Sequence, residues 1–218
     1  MTEADKERAR PRLDAGSRLV APSAVAGDGA TRRQPDIADT DRPNRLFVAV
    51  VPPERVLQLL AELPRPEERG VRWVPPEQWH VTLRFLGDAE PAAVSDALEH
   101  VELPAATAHL GPTIGRLGHD ALVLPASGLD ELAAAVTRAT GRLGRPDDGR
   151  RFFGHLTLAR LRARAACGLA DRRCIAAWEV QEVALVASTL TPSGAVHHVV
   201  SRHRTGPGTD PVAEGTPP

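Results

Sequence analysis

Polar and apolar positions along the chain alternate with the period of a strand in some stretches and of a helix in others. Residues 45–51 (RLFVAVV) are a β-rich run that Pro52 and Pro53 stop, and Pro53 suits the first turn of a helix. In that helix Val56, Leu59, Leu60 and Leu63 recur at i, i+3, i+4 and i+7. Residues 79–86 alternate as a strand, closed by Gly87-Asp88. Pro91 opens a second helix with Val94, Leu98 and Val101 inward. Residues 107–117 read as a weak strand broken by Gly and Pro, and 121–124 as a short apolar one. A third helix, 129–143, sets Leu129, Leu132, Val136 and Leu143 on one side. Residues 155–161, 180–187 and 196–203 are strands. Seven strands and three helices predict a layered α+β or α/β domain.

The flanks carry no such period. Residues 1–43 hold eight basic and eight acidic side chains among Pro, Gly and Ala, and read as a disordered extension. Residues 205–218 (TGPGTDPVAEGTPP) read as a Pro/Gly-rich tail. The folded part is then 44–204, the size of one domain. Over all 218 residues the formal charge is −1, so bulk coating of nucleic acid is not indicated. No apolar run approaches the roughly 18 residues of a membrane span, and the N-terminus lacks the apolar stretch of a secretory signal. Two cysteines do not make a disulfide scaffold, and a reducing, cytoplasmic setting is expected. Cys167 and Cys174 lack partners at metal-ligand spacing, so no metal is expected.

Two strands carry nearly the same four letters, His-Val-Thr-Leu at 80–83 and His-Leu-Thr-Leu at 155–158. His-x-Thr alone is cheap: with 8 His among 218 residues, chance supplies about half a match, and His203-Arg204-Thr205 is a bare third. The other two are distinguished by their context, each being His-apolar-Thr-Leu inside a strand. A period of two places His80, Thr82 and Arg84 on one face and Val81, Leu83 and Phe85 on the other. His155 and Thr157 likewise share a face opposite Leu156 and Leu158. Imidazoles titrate near neutrality, so one can take a proton while the other gives one. Two of them flanking a phosphorus suit in-line displacement on a phosphodiester, with the threonine hydroxyls donating to non-bridging oxygens and no metal required. From Arg138 to Arg173 ten arginines stand against three acids, a surplus that attracts phosphate. No P-loop, nucleophile elbow or H-E-x-x-H occurs.

With these motifs the sequence resembles the 2H phosphoesterase superfamily, and within it the RNA 2′,3′-cyclic phosphodiesterases, historically called 2′-5′ RNA ligases. Four blocks carry the resemblance in order: RLFVAV at 45–50, WHVTLRFLGD at 79–88, RFFGHLTLAR at 151–160 and VASTLTPSGA at 186–195. It implies a bilobal LigT-like α+β fold, with two pseudo-symmetric lobes that each present one His-x-Thr strand to a central cleft. It also implies His80 as proton donor, His155 as proton acceptor, and Thr82 and Thr157 as phosphate ligands, although the pseudo-symmetry of the motifs does not itself order donor and acceptor. Two positions depart from the family. Gly154 stands where a proline commonly precedes the second histidine, which predicts a looser strand entry. His197 stands where the family commonly has tyrosine.

Strict alternation would put Arg160 on the core face with Leu156 and Leu158. A phosphate role for it therefore needs a bulge or strand end after Leu158. Phe47 and Phe152 are candidate platforms for a nucleobase, with core packing as the competing reading. The expected activity is hydrolysis of RNA 2′,3′-cyclic phosphate ends to 2′-phosphates without a cofactor, with 2′-5′ joining as its reverse. The expected partners are RNA ends, with no membrane and no obligate protein partner. The alternatives are a small cyclic nucleotide or ADP-ribose cyclic phosphate as substrate, or a non-catalytic RNA-end binding module.

Overall fold

The computed structural model describes residues 45–162, 165–191 and 194–206. The expected extension, and the expected tail from residue 207 onward, lie outside the described residues. Thr205 and Gly206, assigned to that tail by composition, are instead tied to the domain. Their amides donate to the carbonyls of Gln181 and Leu103 at 3.0 and 2.8 Å.

Three helices and ten strands form among the described residues. In chain order they are β1 (Arg45–Val50), α1 (Glu54–Ala61), β2 (Val71–Trp73), β3 (Val81–Gly87), α2 (Pro91–Glu99), β4 (Ala106–Leu110), β5 (Gly115–Leu117), β6 (Ala121–Ser127), α3 (Asp130–Ala139), β7 (His155–Leu161), β8 (Ala176–Val180), β9 (Glu182–Thr191) and β10 (Gly194–Arg204). The pairings are antiparallel and give one sheet in the order β10-β9-β1-β3-β7-β6-β4-β8, with β2 added to β7 and β5 to β6. The architecture is α+β. The strands missing from the sequence reading are β2 and β8, of three and five residues, too short to show a period, and the broken strand expected at 107–117 is the two strands β4 and β5. No helix among the described residues is long and apolar enough to cross a membrane.

The helices keep the expected faces but are shorter than expected, α1 ending at Ala61 before Leu63 and α2 at Glu99 before Val101. In α1, Val56 and Leu60 are buried while Leu59 stays exposed. α3 stops at Ala139, short of the expected Leu143. There the Thr140 hydroxyl turns back to donate to the Val136 carbonyl at 2.7 Å, and Gly141 follows. The core gathers Leu46, Val48 and Val50 of β1 with Val81 and Leu86 of β3, Leu156 and Leu158 of β7, and the inner faces of α2 and α3. On the opposite face of β1 and β9, Phe47, Ala49, Ala184 and Val186 form a second small buried cluster.

Both motif strands break their alternation at the same place. In β3, Thr82 faces Ala49 while Arg84 faces the next residue of β1, Val48, so Leu83 is an extra residue. In β7, Thr157 faces Val123 while Ala159 faces Leu122, so Leu158 is the extra residue. A bulge puts two successive residues on one face. After the first, Arg84 turns inward and is 7% exposed while Phe85 turns out, the reverse of the expected assignment. After the second, Ala159 is buried and Arg160 is exposed.

Candidate active site

The two motif strands meet at a single registered pair, Val81 with Leu156. One step outward along each antiparallel strand sets His80 against Thr157 and Thr82 against His155. The four polar residues are thus related by a local two-fold about that pair, on the face opposite the buried Val81 and Leu156. All four line one cavity of about 170 Å³, together with Arg72, Trp73, Gln78, Arg160, Ala195 and His197. The two loci of the sequence motif therefore form one site.

Each imidazole is held in the same way. His80 follows the 3₁₀ turn Pro76–Gln78, and its Nδ1 lies 2.7 Å from the Gln78 carbonyl. His155 opens β7, and its Nδ1 lies 3.0 Å from the Phe153 carbonyl. A carbonyl only accepts, so Nδ1 carries the hydrogen in both rings. Nε2 of each ring is left to take up or give a proton. The Thr82 and Thr157 hydroxyls make no hydrogen bond among the described residues and are free to donate to a ligand.

His80 is the more enclosed of the pair. The Phe47 ring stacks on it at 4.7 Å and 27°, and His197 meets it edge-on at 5.2 Å and 72°. Burial lowers the His80 pKa to about 4. The hydrogen bond to Gln78 opposes the shift, and the nearby His197, His155 and Arg160 add to it. His80 is therefore neutral in the free site at pH 7, and acting as a proton donor requires an anion at the site to load it. Burial likewise lowers the pKa of His197, with His198 adding to the effect. The Gln78 side chain donates to the Ala195 carbonyl at 2.8 Å, fastening the start of β10 beside His80.

The bulge at Leu158 delivers Arg160 to the cavity, so strict alternation does not hold past that residue. Across β2 and β7, Arg160 is registered against Arg72. Like charges directly opposite one another destabilise a sheet. Two cations so placed, without ion-pair partners among the described residues, leave the cavity wall with uncompensated positive charge. Arg72 was not legible in advance, because β2 is three residues long and carries no motif.

The expected aromatic platforms are not open to a base. Phe47 is 5% exposed, its ring against His80 and His197. Phe152 is half-buried against the core and does not line the catalytic cavity. The exposed ring is the neighbouring Phe153, 58% accessible and 5.9 Å from the His155 ring. The FF pair in the motif was the available signal, and its second member is the one that faces out. Gly154 does not loosen the strand either. Its amide plane is fixed by a 2.8 Å hydrogen bond from Ala126, and a Cβ there would lie 2.6 Å from the Ala126 carbonyl oxygen. His203 and Arg84 lie away from the cavity. The His203 Nε2 is bound by the Ser201 hydroxyl at 2.9 Å, and Arg84 donates to the Thr137 and Arg145 carbonyls at 2.7 and 3.2 Å.

Comparison with known proteins bears on the fold and the family. The family described as LigT like Phosphoesterase matches residues 48–110. TT0787 of Thermus thermophilus is 31% identical with a TM-score of 0.63, over 73% of this chain and 97% of that one. E. coli LigT complexed with 3′-AMP is 26% identical with a TM-score of 0.61, over 75% of this chain and 98% of that one. The same protein complexed with NADP+ is 26% identical with a TM-score of 0.60, over 76% and 99%. No curated protein matches the chain. A fold shared along nearly the whole length of these structures, with a relative above 30% identity, places the chain in the LigT-like phosphoesterase family of the 2H phosphoesterase superfamily.

Proposed function

We propose that this phosphodiesterase hydrolyses terminal 2′,3′-cyclic phosphates of RNA to 2′-phosphates without a metal ion. The observation that carries the reading is the matched pair His80 and His155, each with Nδ1 tied to a backbone carbonyl and both lining one cavity. Water attacks phosphorus as its proton passes to His155. The bond from phosphorus to O3′ breaks, and O3′ takes a proton from His80, in the order that the family resemblance implies. The bond to O2′ is kept. Thr82 and Thr157 donate to the non-bridging oxygens while Arg72 and Arg160 offset their charge. The same anion loads His80: its negative charge favours the imidazolium that burial, and to a lesser degree the neighbouring cations, disfavour in the free site. An imidazole of low proton affinity, once loaded, is a strong acid toward an alkoxide leaving group. With a terminal 5′-hydroxyl in place of water, the same attack with the same loss of O3′ joins two RNA ends through a 2′-5′ bond, so joining is a parallel of hydrolysis and not its reverse.

E. coli LigT has been crystallised with 3′-AMP and with NADP+, which supports a nucleotide at the corresponding cavity. The deciding experiment is incubation with an oligoribonucleotide ending in a 2′,3′-cyclic phosphate in excess EDTA, with products identified. Release of a 2′-phosphorylated end is expected. Tight binding without turnover, or turnover only after zinc or manganese is added back, overturns the proposal.

A further inference from the structure

The catalytic cavity, at about 170 Å³, is smaller than the several hundred Å³ usual for a ligand the size of a nucleotide. It suits a phosphate and its ribose, so a base must leave it. On the His155 side the exit is marked by Phe153, which is exposed and tilted 32° to the His155 ring. Immediately beyond lies a hollow of about 370 Å³ formed by residues 151–154 with Ala126, Ser127 and Asp130. Phe152 and Asp130 also line a second hollow, of about 660 Å³, so the two lie side by side. This larger space opens because β3 and β7 pair only at Val81 and Leu156 and then diverge. The segment leading to His155 follows β3 at a distance, touching it again where the Arg145 amide donates to the Leu86 carbonyl at 2.7 Å.

The chemistry of this space is that of a single-stranded nucleic-acid track. Phe85, turned outward by the bulge at Leu83, is 42% exposed along it. Arg138 and Arg145 line it without ion-pair partners among the described residues, while Arg150 is engaged by Asp148 at 3.3 Å and Asp130 and Asp147 add negative charge elsewhere on the wall. Exposed aromatic faces interleaved with unpaired guanidinium groups hold stacked bases and their phosphates with little regard to sequence.

We infer that the groove running from Phe153 past Phe85, with Arg138 and Arg145 on its wall, binds the RNA chain that precedes the terminal phosphate, making an oligonucleotide the preferred substrate. The inference rests on the activity proposed above and names its substrate class. Two substrates test it: uridine 2′,3′-cyclic phosphate and a hexauridylate ending in the same group. Wild-type kcat/KM should favour the hexamer. In Phe85→Ala and in Phe153→Leu, which keeps the backbone carbonyl that holds His155, the hexamer-to-monomer ratio should fall roughly 5- to 100-fold per lost stack. Arg138→Ala should flatten the salt dependence of hexamer kcat/KM by about one unit of log–log slope. Equal kcat/KM for the two substrates, or variants with the wild-type ratio, overturns the inference and leaves the proposed activity standing. If neither substrate is cleaved, the proposed activity falls, and affinity for a 3′-phosphorylated hexauridylate decides the groove. Weaker binding by the variants upholds it, and binding equal to wild type overturns it.

Discussion

Leu83 and Leu158 hold the same position in their two strands: each is the extra residue of a bulge directly after a motif threonine. The bulges have opposite uses. One drives Arg84 into the interior, where it binds the ends of two segments; the other brings Arg160 out to the cavity.

The catalytic pair should be indispensable. His80→Ala and His155→Ala are each expected to lower kcat by about 10²–10⁴-fold with little change in KM. The double variant should fall short of the product of the two losses, since both act on one phosphorus. Thr82→Val and Thr157→Val should cost about 1–3 kcal/mol of transition-state stabilisation each. Steady-state kinetics on the cyclic-phosphate substrate measures all of these, and retention of wild-type kcat by either alanine variant contradicts the mechanism.

The His80 environment predicts an ionisation well below the ordinary histidine range. In the pH profile of kcat/KM, which reports the free enzyme, one limb should lie near pH 4. Because His197 contributes to the depression, His197→Tyr should move that limb upward. A profile with both limbs close to 6.5 would show that the ring cluster does not control His80.

The same group makes stability depend on pH. Between about pH 6.5 and 4 the unfolded chain binds a proton at His80 that the folded chain refuses. Stability should therefore fall as pH drops through that window, by about 3 kcal/mol over its full width for this residue. Burial of His203 acts in the same direction. Urea unfolding at pH 7 and pH 4.5 should show a smaller loss for His80→Asn than for wild type, and parallel losses would refute the assignment.

His203 separates stability from chemistry. It repeats the His-x-Thr letters but sits 9% exposed in a network with Ser201 and Ser95. His203→Ala should leave turnover within a few-fold while lowering unfolding free energy by about 1–2 kcal/mol for the broken hydrogen bonds. A loss of kcat matching that of His155→Ala would undo the distinction between the three matches.

Gly154 should tolerate no side chain. Gly154→Ala brings a methyl against the Ala126 carbonyl and displaces the peptide that carries the Phe153 oxygen. Turnover should fall more than stability does, because the moved group orients His155. Gly154→Pro should behave alike despite the family's preference for proline there, and wild-type kinetics in both would show that the β6 contact is slack.

The sequence shows most clearly what repeats. His80, Thr82, His155 and Thr157 were legible because the same four-residue pattern appears in two strands, and the structure brings them to one cavity. The fate of Arg84 and Arg160 was not legible. A bulge adds one residue to the count without changing composition, so period-two reasoning assigns every later side chain to the wrong face. Arg72 and Phe153 escaped for another reason. Their place depends on pairing with residues far away in the chain, which no local period records. The same limit hid β2 and β8.

The two carbonyls that fix the imidazoles belong to Gln78 and Phe153, and each is a main-chain group. A peptide oxygen is supplied by every amino acid. Side chains at these two positions can be exchanged over evolutionary time while the rings keep their aim. At position 153 the side chain is the outward-facing one beside the site. New substrate preferences can thus be acquired there by single substitutions that leave the two imidazoles in register.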